Sequence, residues 1–133
     1  VGSSAPLHVG SAGRVLLAFA APSELERTID SLVVADPGVD PDALRGELDA
    51  IRDRGYALST GERVQGASAI SVPVFGRQGF VASLSVLGPD FRLTEAHRLE
   101  FLPALRQTAD AIGSALVDAG RADGAGRVQA DGR

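Results

Sequence analysis

The feature that most constrains this chain is a pair of alternating, strand-like segments near its middle. Residues 67–75 read ASAISVPVF, residues 80–88 read FVASLSVLG, and the tetrapeptide GRQG separates them. Two alternating runs joined by a short glycine-containing connection indicate an antiparallel hairpin. We therefore predict a β-hairpin over residues 67–88. Because Pro73 has no N–H donor, we expect its strand to be an edge strand, to be bulged there, or to leave that nitrogen unpaired.

The two faces of this hairpin carry side chains of different size. The bulky face, which must be core, contains Ile70, Val72, Val74, Phe80, Leu84 and Val86. The opposite face contains Ala67, Ala69, Ser71, Val81, Ser83, Ser85 and Leu87. Most of the second set are too small to fill the space beneath a covering element, so this small face predicts a ligand cavity. A face that simply meets water is the alternative, although neither strand places a charged residue there.

Helical periodicity flanks the hairpin on both sides. A first helix follows Gly10 with Ser11 as its N-cap, and a second spans about residues 22–32, where Ser23 and Glu26 form a capping-box pattern. The best-defined helix covers about residues 41–54. Its N-cap is Asp40, Pro41 occupies the first turn, and Gly55 follows its last residue.

Two further elements and a tail complete the prediction. Residues 56–59 are a short strand candidate, and Thr94 caps a long apolar helix in which Pro103 predicts a kink or break near residue 102. The last segment, residues 119–133, has almost nothing to bury, so we expect a disordered tail after a domain that ends at residue 118.

Composition limits the functions open to the chain. Its 133 residues fit one globular domain, and its net charge of −4, with arginine as the only strongly basic residue type, argues against a self-sufficient nucleic-acid binder. With no cysteine and two histidines, we expect no metal site and no cofactor. No segment resembles a membrane span or a signal peptide, so we expect a cytoplasmic protein. The absence of methionine predicts a fragment of a longer protein.

The segment from His8 to Arg14 is a second candidate for binding. Its glycine, serine and alanine residues leave the backbone N–H groups at a helix start open to an anion, although small residues at such a position more often serve packing. Arg14 lies one turn into the helix and is expected to point to solvent. His97 is expected to be exposed, and neither histidine forms a convincing catalytic pair with a carboxylate, so we expect no enzyme activity.

Five segments in order carry a resemblance to a known family. They are PLHVGSAGRVLLAF at 6–19, IRDRGYA at 51–57 with Gly61-Glu62, AIxxPVF at 69–75, SLSV at 83–86, and Gly88-Pro89 with RLT at 92–94. Together they closely resemble the effector-binding domain of IclR-type bacterial transcriptional regulators, over about residues 5–118. The resemblance implies an α+β, GAF-like domain, in which an antiparallel β-sheet carries helices on its faces and ends in a long C-terminal helix.

The resemblance also implies partners and a site. Family members form dimers or tetramers and bind a small-molecule effector, while a winged helix-turn-helix domain, absent from this chain, reads operator DNA. The first strands of the family domain are also expected to be missing, which leaves an unfilled sheet edge. The residues predicted to contact the effector are Ser11, Ala12, Ser59, Ala67, Ala69, Ser85 and Leu87.

Three of these positions differ from the members that bind glyoxylate and pyruvate. Those members have Asp, Cys and Ser where this chain has Ser59, Ala69 and Leu87, whereas the backbone amides of Ser11 and Ala12 and the hydroxyl of Ser85 are retained. The lost polar contacts predict a larger, more apolar carboxylate, such as an aromatic acid. A structural oligomerisation domain without a ligand is the main alternative, and a small GAF-like enzyme is a weaker one.

Overall fold

The computed structural model describes the backbone of residues 7–131 and the side chains of residues 7–120. Its elements are α1 (Ser11–Ala18), α2 (Pro22–Ala35), α3 (Pro41–Arg54), β1 (Ala57–Thr60), β2 (Ala67–Gly76), β3 (Gly79–Pro89) and α4 (Glu95–Asp131). The architecture is α+β, as predicted, and the predicted GAF-like arrangement of helices on the faces of an antiparallel sheet is present.

The three strands form one antiparallel sheet in the order β1-β2-β3. Arg77 and Gln78 form the turn of the predicted hairpin, between the paired residues Gly76 and Gly79. β1 reaches only as far as Ser71, so Pro73 lies on β2 beyond the end of β1 and just before a register shift between Val74 and Phe75. The proline therefore occupies an unpaired edge next to a bulge, as its missing N–H requires.

The bulky face of the hairpin packs against α4. The buried members of this cluster are Ile70, Val72, Val74, Leu105 and Ala109. Leu84 and Val86 pack against them as predicted, but Phe80 does not. Phe80 instead stacks on Phe19 at a ring-centroid distance of 5.8 Å, because the register shift beside Phe75 interrupts the alternation of the strand.

A second core cluster lies between α1, α2, α3 and the start of β1. Its buried residues are Val15, Leu17, Ala18, Ile29, Leu44, Leu48, Ile51 and Ala57. On the surface of this layer Arg45 hydrogen-bonds Glu26 across α2 and α3, and these bonds lower the pKa of the Glu26 carboxyl. The sheet is thus covered by α4 on one face and by α1 on the other.

The N-terminal capping residues were predicted correctly for two of the four helices. Asp40 caps α3, since its Oδ1 accepts hydrogen bonds from the amides of residues 42 and 43, and Gly55 ends that helix at a φ of 80°. Thr94 Oγ1 accepts a hydrogen bond from the His97 amide at the start of α4. The Ser11 N-cap is wrong, because Gly10 occupies that position and Ser11 is already helical.

The capping box at Ser23 is also wrong, and the prediction for α4 needs correction. Pro22 takes the first position of α2 after Ala21, so Ser23 lies inside the helix. α4 continues through Pro103 without a break, because Leu102 and Leu105 hold it against the sheet on both sides of the proline. Its backbone also continues past residue 118 to Asp131, while side chains after residue 120 lie outside the described part. Disorder of the tail stays a prediction.

Candidate functional site

Four serine hydroxyls form a row across the small face of the sheet. Ser11 Oγ on α1 lies 2.7 Å from Ser71 Oγ on β2, and Ser71 Oγ lies 2.6 Å from Ser85 Oγ on β3. Ser59 Oγ on β1 donates to Ser11 Oγ at 3.4 Å. We call Ser59, Ser11, Ser71 and Ser85 the serine row. It joins all three strands to the first residue of α1.

The strand register explains why these residues meet. Ser71 is paired with Ala57 on one side and with Ser85 on the other, and Ala69 is paired with Ser59 and Leu87. Paired residues of an antiparallel sheet lie on the same face. The serines at positions 59, 71 and 85 therefore share one face of the sheet with Ala69. α1 lies on this face with Ser11 at its start.

The structure brings together some of the predicted site residues and spreads out others. Ser11, Ser59 and Ser85 belong to the row, and Ala69 is buried beside them. Ala12 is half-buried in the first turn of α1. Leu87 is 70% exposed at the rim. Ala67 lies at the end of β2, where its carbonyl accepts from the Gly61 amide, away from the serine row.

The row also contains a residue that was not among the predicted contacts. Ser71 is fully buried at 0% exposure, and Ser11 is 2% exposed, so the centre of the small face is filled by two hydrogen-bonded hydroxyls. The alternation of β2 placed Ser71 on this face. Its position between Ser11 and Ser85 depends on the pairing of β2 with β3 and on the packing of α1 against the sheet. On β3, Ser85 and Leu87 are exposed, so this edge of the face is open to solvent.

Arg14 does not point to solvent as predicted. It is buried at 5% exposure, and its guanidinium forms an ion pair with Glu62 through two hydrogen bonds. The guanidinium also donates a hydrogen bond to the Leu58 carbonyl. Its Nε lies 3.1 Å from a Glu47 carboxylate oxygen, in ion-pair contact without hydrogen-bond geometry. Two carboxylates therefore neutralise Arg14, and it is not free to bind an effector carboxylate.

A cleft of about 350 Å³ borders this ion cluster. Its lining includes Asp36, Asp40, Glu47 and Glu62, and His8 also faces it. The predominance of carboxylates makes this cleft unfavourable for an anion. The anion-binding hypothesis for the segment from His8 to Arg14 is therefore restricted to the backbone N–H groups of Ser11 and Ala12.

Arg98 was not singled out in the sequence. It is 5% exposed on α4, and its Nη1 donates to the carbonyl of Ser59 at 2.7 Å, to Thr60 Oγ1 at 3.1 Å and to the carbonyl of Ala69 at 3.4 Å. Among the described residues no carboxylate lies within ion-pair distance of it. Arg98 thus fixes the backbone at the Ser59 end of the row.

Enzyme, metal and membrane functions gain no support within the described residues. His97 is exposed and its Nδ1 lies 2.9 Å from the Arg92 carbonyl, and neither histidine in this part of the chain forms an ion pair with a carboxylate. The same residues contain no cluster of three or more potential metal ligands. No helix there is long and apolar enough to cross a membrane.

Comparison with known proteins gives the family. Residues 1–114 match the family model described as bacterial transcriptional regulator IclR C-terminal. The transcriptional regulator BhcR of Paracoccus denitrificans is 38% identical over 100 residues, which cover 71% of this chain and 36% of that protein. The first curated relatives are regulators rather than enzymes, and the chain spans 36% to 45% of their length.

Solved structures agree with the sequence matches. The C-terminal domain of the Escherichia coli regulator KdgR aligns with a TM-score of 0.72 and 29% identity, covering 88% of this chain and 74% of that one. The inducer-binding domain of a PobR double mutant from Acinetobacter, in complex with 3-hydroxybenzoic acid, aligns with a TM-score of 0.71 and 30% identity, covering 84% and 69%. This chain therefore belongs to the IclR family of bacterial transcriptional regulators, in which it corresponds to the C-terminal domain.

Proposed function

We propose that this domain senses a small organic carboxylate with an apolar or aromatic body. The observation that carries the proposal is the serine row, which gathers three predicted contact residues from α1, β1 and β3 onto one face. In this proposal the carboxylate lies at the amides of Ser11 and Ala12, and the Ser85 hydroxyl donates a hydrogen bond to it. The α1 dipole favours a negative charge at that end of the helix.

The apolar character of the ligand rests on the remaining wall. Ala69 offers a methyl group, and Leu87 offers an isobutyl group that is 70% exposed at the open side, where it can fold over a ring. Arg14 offers no free charge to the ligand, since it is paired with Glu47 and Glu62. The wall formed by Ala69 and Leu87 suits a ligand that gains binding energy from its apolar surface.

We further propose that ligand binding regulates operator DNA through the rest of the regulator. Curated relatives carry names of the helix-turn-helix type, which supports a winged helix-turn-helix domain before this one. The ligand changes DNA binding only if it prefers one arrangement of subunits over another. Exposed apolar side chains on α4 support a dimer or tetramer, and they are Leu99, Phe101, Ile112 and Leu116.

Thermal unfolding with a ligand panel tests the proposal. The panel contains pyruvate, glyoxylate, benzoate and 3-hydroxybenzoate at fixed ionic strength. A ligand at one hundred times its Kd stabilises the native state by about 2.7 kcal/mol, so a rise in Tm with the aromatic acids is expected. A rise in Tm with the keto acids alone would support the sensor role and would reject the proposal that the ligand has an apolar body. No response to any acid would favour the structural oligomerisation domain.

A Ser85→Val variant tests the proposed contact. The change removes the hydroxyl and should weaken the binding of an aromatic acid by about 1 kcal/mol, which raises its Kd about fivefold. Ser83→Val is the matched control, because Ser83 faces the same side of β3, pairs with Pro73, and lies outside the serine row. Titration calorimetry should show weaker binding only for Ser85→Val; equal affinity in all three proteins would reject the contact.

A further inference from the structure

Ser71 lies between two residues that are predicted to contact the ligand, Ser11 on α1 and Ser85 on β3. Its hydroxyl lies 2.7 Å from Ser11 Oγ and 2.6 Å from Ser85 Oγ. Its side chain is fully buried, so it cannot itself reach a ligand in solution. Any effect of Ser71 on binding must therefore pass through its neighbours.

The proton count of the row limits its arrangement. Each serine hydroxyl has one proton to donate and can also accept. Four hydroxyls share three contacts, so one proton is left over, and either oxygen can be the donor in the Ser11–Ser71 and Ser71–Ser85 contacts. When Ser85 gives its proton to a ligand, Ser71 must donate to Ser85 and Ser11 must donate to Ser71, and Ser59 already donates to Ser11. The left-over proton is then the one that Ser85 donates to the ligand, on the open side of the face.

We propose that Ser71 is a positioning residue that presents the Ser85 hydroxyl as a donor to an anionic ligand. A hydroxyl that accepts one hydrogen bond becomes a stronger donor in the next, so with the protons in this direction the row strengthens the bond from Ser85 to a carboxylate oxygen. The row also connects the ligand to α1, whose first residue supplies Ser11. This inference rests on the proposed function, because it assumes that Ser85 meets the ligand.

A double-mutant cycle on ligand affinity tests the proposal. Titration calorimetry measures the Kd of 3-hydroxybenzoate for the unaltered chain, Ser71→Ala, Ser85→Ala and the double variant. We expect Ser71→Ala to weaken binding about three- to tenfold. We expect no further loss when Ser71→Ala is added to Ser85→Ala, because Ser71 acts through the Ser85 hydroxyl. The same fold loss in both backgrounds, or no loss in either, would overturn the proposal.

Two more variants separate positioning from folding. Ser71→Cys keeps the size of the side chain and replaces the hydroxyl with a weaker S–H donor, so it takes the place of Ser71→Ala in the cycle if the alanine variant does not fold. Ser68→Ala removes another buried serine hydroxyl of β2, one bonded to Asp90, and should leave the Kd unchanged. A loss of affinity in Ser68→Ala as large as that in Ser71→Ala would overturn the proposal.

The outcomes also separate this inference from the proposed function. If the unaltered chain binds no acid of the panel, the proposed function fails and the positioning role fails with it. If the unaltered chain binds 3-hydroxybenzoate but the cycle is additive, the sensor stands and only the role of Ser71 is rejected.

Discussion

Arg14 and Arg98 are both buried, but their hydrogen-bond partners differ in charge. Arg14 is paired with two carboxylates, whereas the described partners of Arg98 are carbonyl and hydroxyl oxygens, those of Ser59, Thr60, Ala69 and Thr94. A buried guanidinium with neutral partners depends on each hydrogen bond for its solvation. Arg98 therefore ties α4 to the backbone of β1 and β2 at the end of the serine row.

The first prediction concerns Arg98. Arg98→Met leaves two strand carbonyls without their donor, so we expect it to reduce the free energy of unfolding by about 2–4 kcal/mol. Arg106→Met is the control on the same helix, since Arg106 is exposed and donates to one carbonyl, that of Arg54. We expect this control to reduce the free energy of unfolding by less than about 1 kcal/mol. Urea denaturation measures both. Equal, small effects would show that Arg98 is not a structural tie.

Single residues also show where sequence reasoning succeeds and where it stops. The alternation of the hairpin placed Ser71 and Ser85 on one face, because strand periodicity is a local property. The orientation of Ser11 and Arg14 was not predicted, since it depends on how α1 rotates when it packs on the sheet. The burial of Arg14 was missed for the same reason, as Glu47 and Glu62 come from distant segments.

At the scale of elements, the approach of α4 to β2 is close enough to require a glycine. A Cβ atom added to Gly113 would lie 2.3 Å from the carbonyl oxygen of Phe75. Phe75 lies directly after the register shift of β2, so its carbonyl belongs to the irregular end of the strand. Backbone atoms cannot yield as a flexible side chain can, so any side chain at this position must push the helix away from the sheet.

The second prediction follows from this contact. Gly113→Ala should reduce the free energy of unfolding by about 1–3 kcal/mol, despite the better helix propensity of alanine. Gly46→Ala in α3 is the matched control, because a Cβ there meets nothing within 4 Å. We expect the control to stabilise the protein by up to about 1 kcal/mol. Thermal unfolding compares the two; a stabilised Gly113→Ala would mean that α4 lies further from β2.

The elements also differ in how well sequence predicts their ends. The bounds of α3 were predicted because Asp40, Pro41 and Gly55 carry local capping signals that the structure uses. The capping residues of α1 and α2 were mistaken, since Gly10 and Ala21 occupy the N-cap positions, although α2 begins at residue 22 as predicted. In this chain, the local sequence predicted the capping residue where one candidate fitted the cap position, and it failed where two candidates did.

At the scale of the whole molecule, one three-stranded sheet separates two core clusters. Leu48 belongs to the cluster formed with α1, α2 and α3, and Leu105 belongs to the cluster beneath α4. β2 contributes Ile70 to the second cluster and Ser71 to the serine row that contacts α1. Because the same strand supports both layers, neither layer can lose its packing without disturbing the other.

The last prediction is that the two layers unfold together. Leu48→Ala and Leu105→Ala should each reduce the free energy of unfolding by about 2–5 kcal/mol. The single tyrosine, Tyr56, packs with the α4 cluster, so its fluorescence reports on that layer, while far-ultraviolet circular dichroism reports on all helices. In Leu48→Ala both signals should shift to the same lower urea midpoint. A Tyr56 midpoint that stays at its original value while the dichroism midpoint falls would show that the two layers are independent units. The effect of binding at Ser85 would then not be transmitted from the sheet to α4.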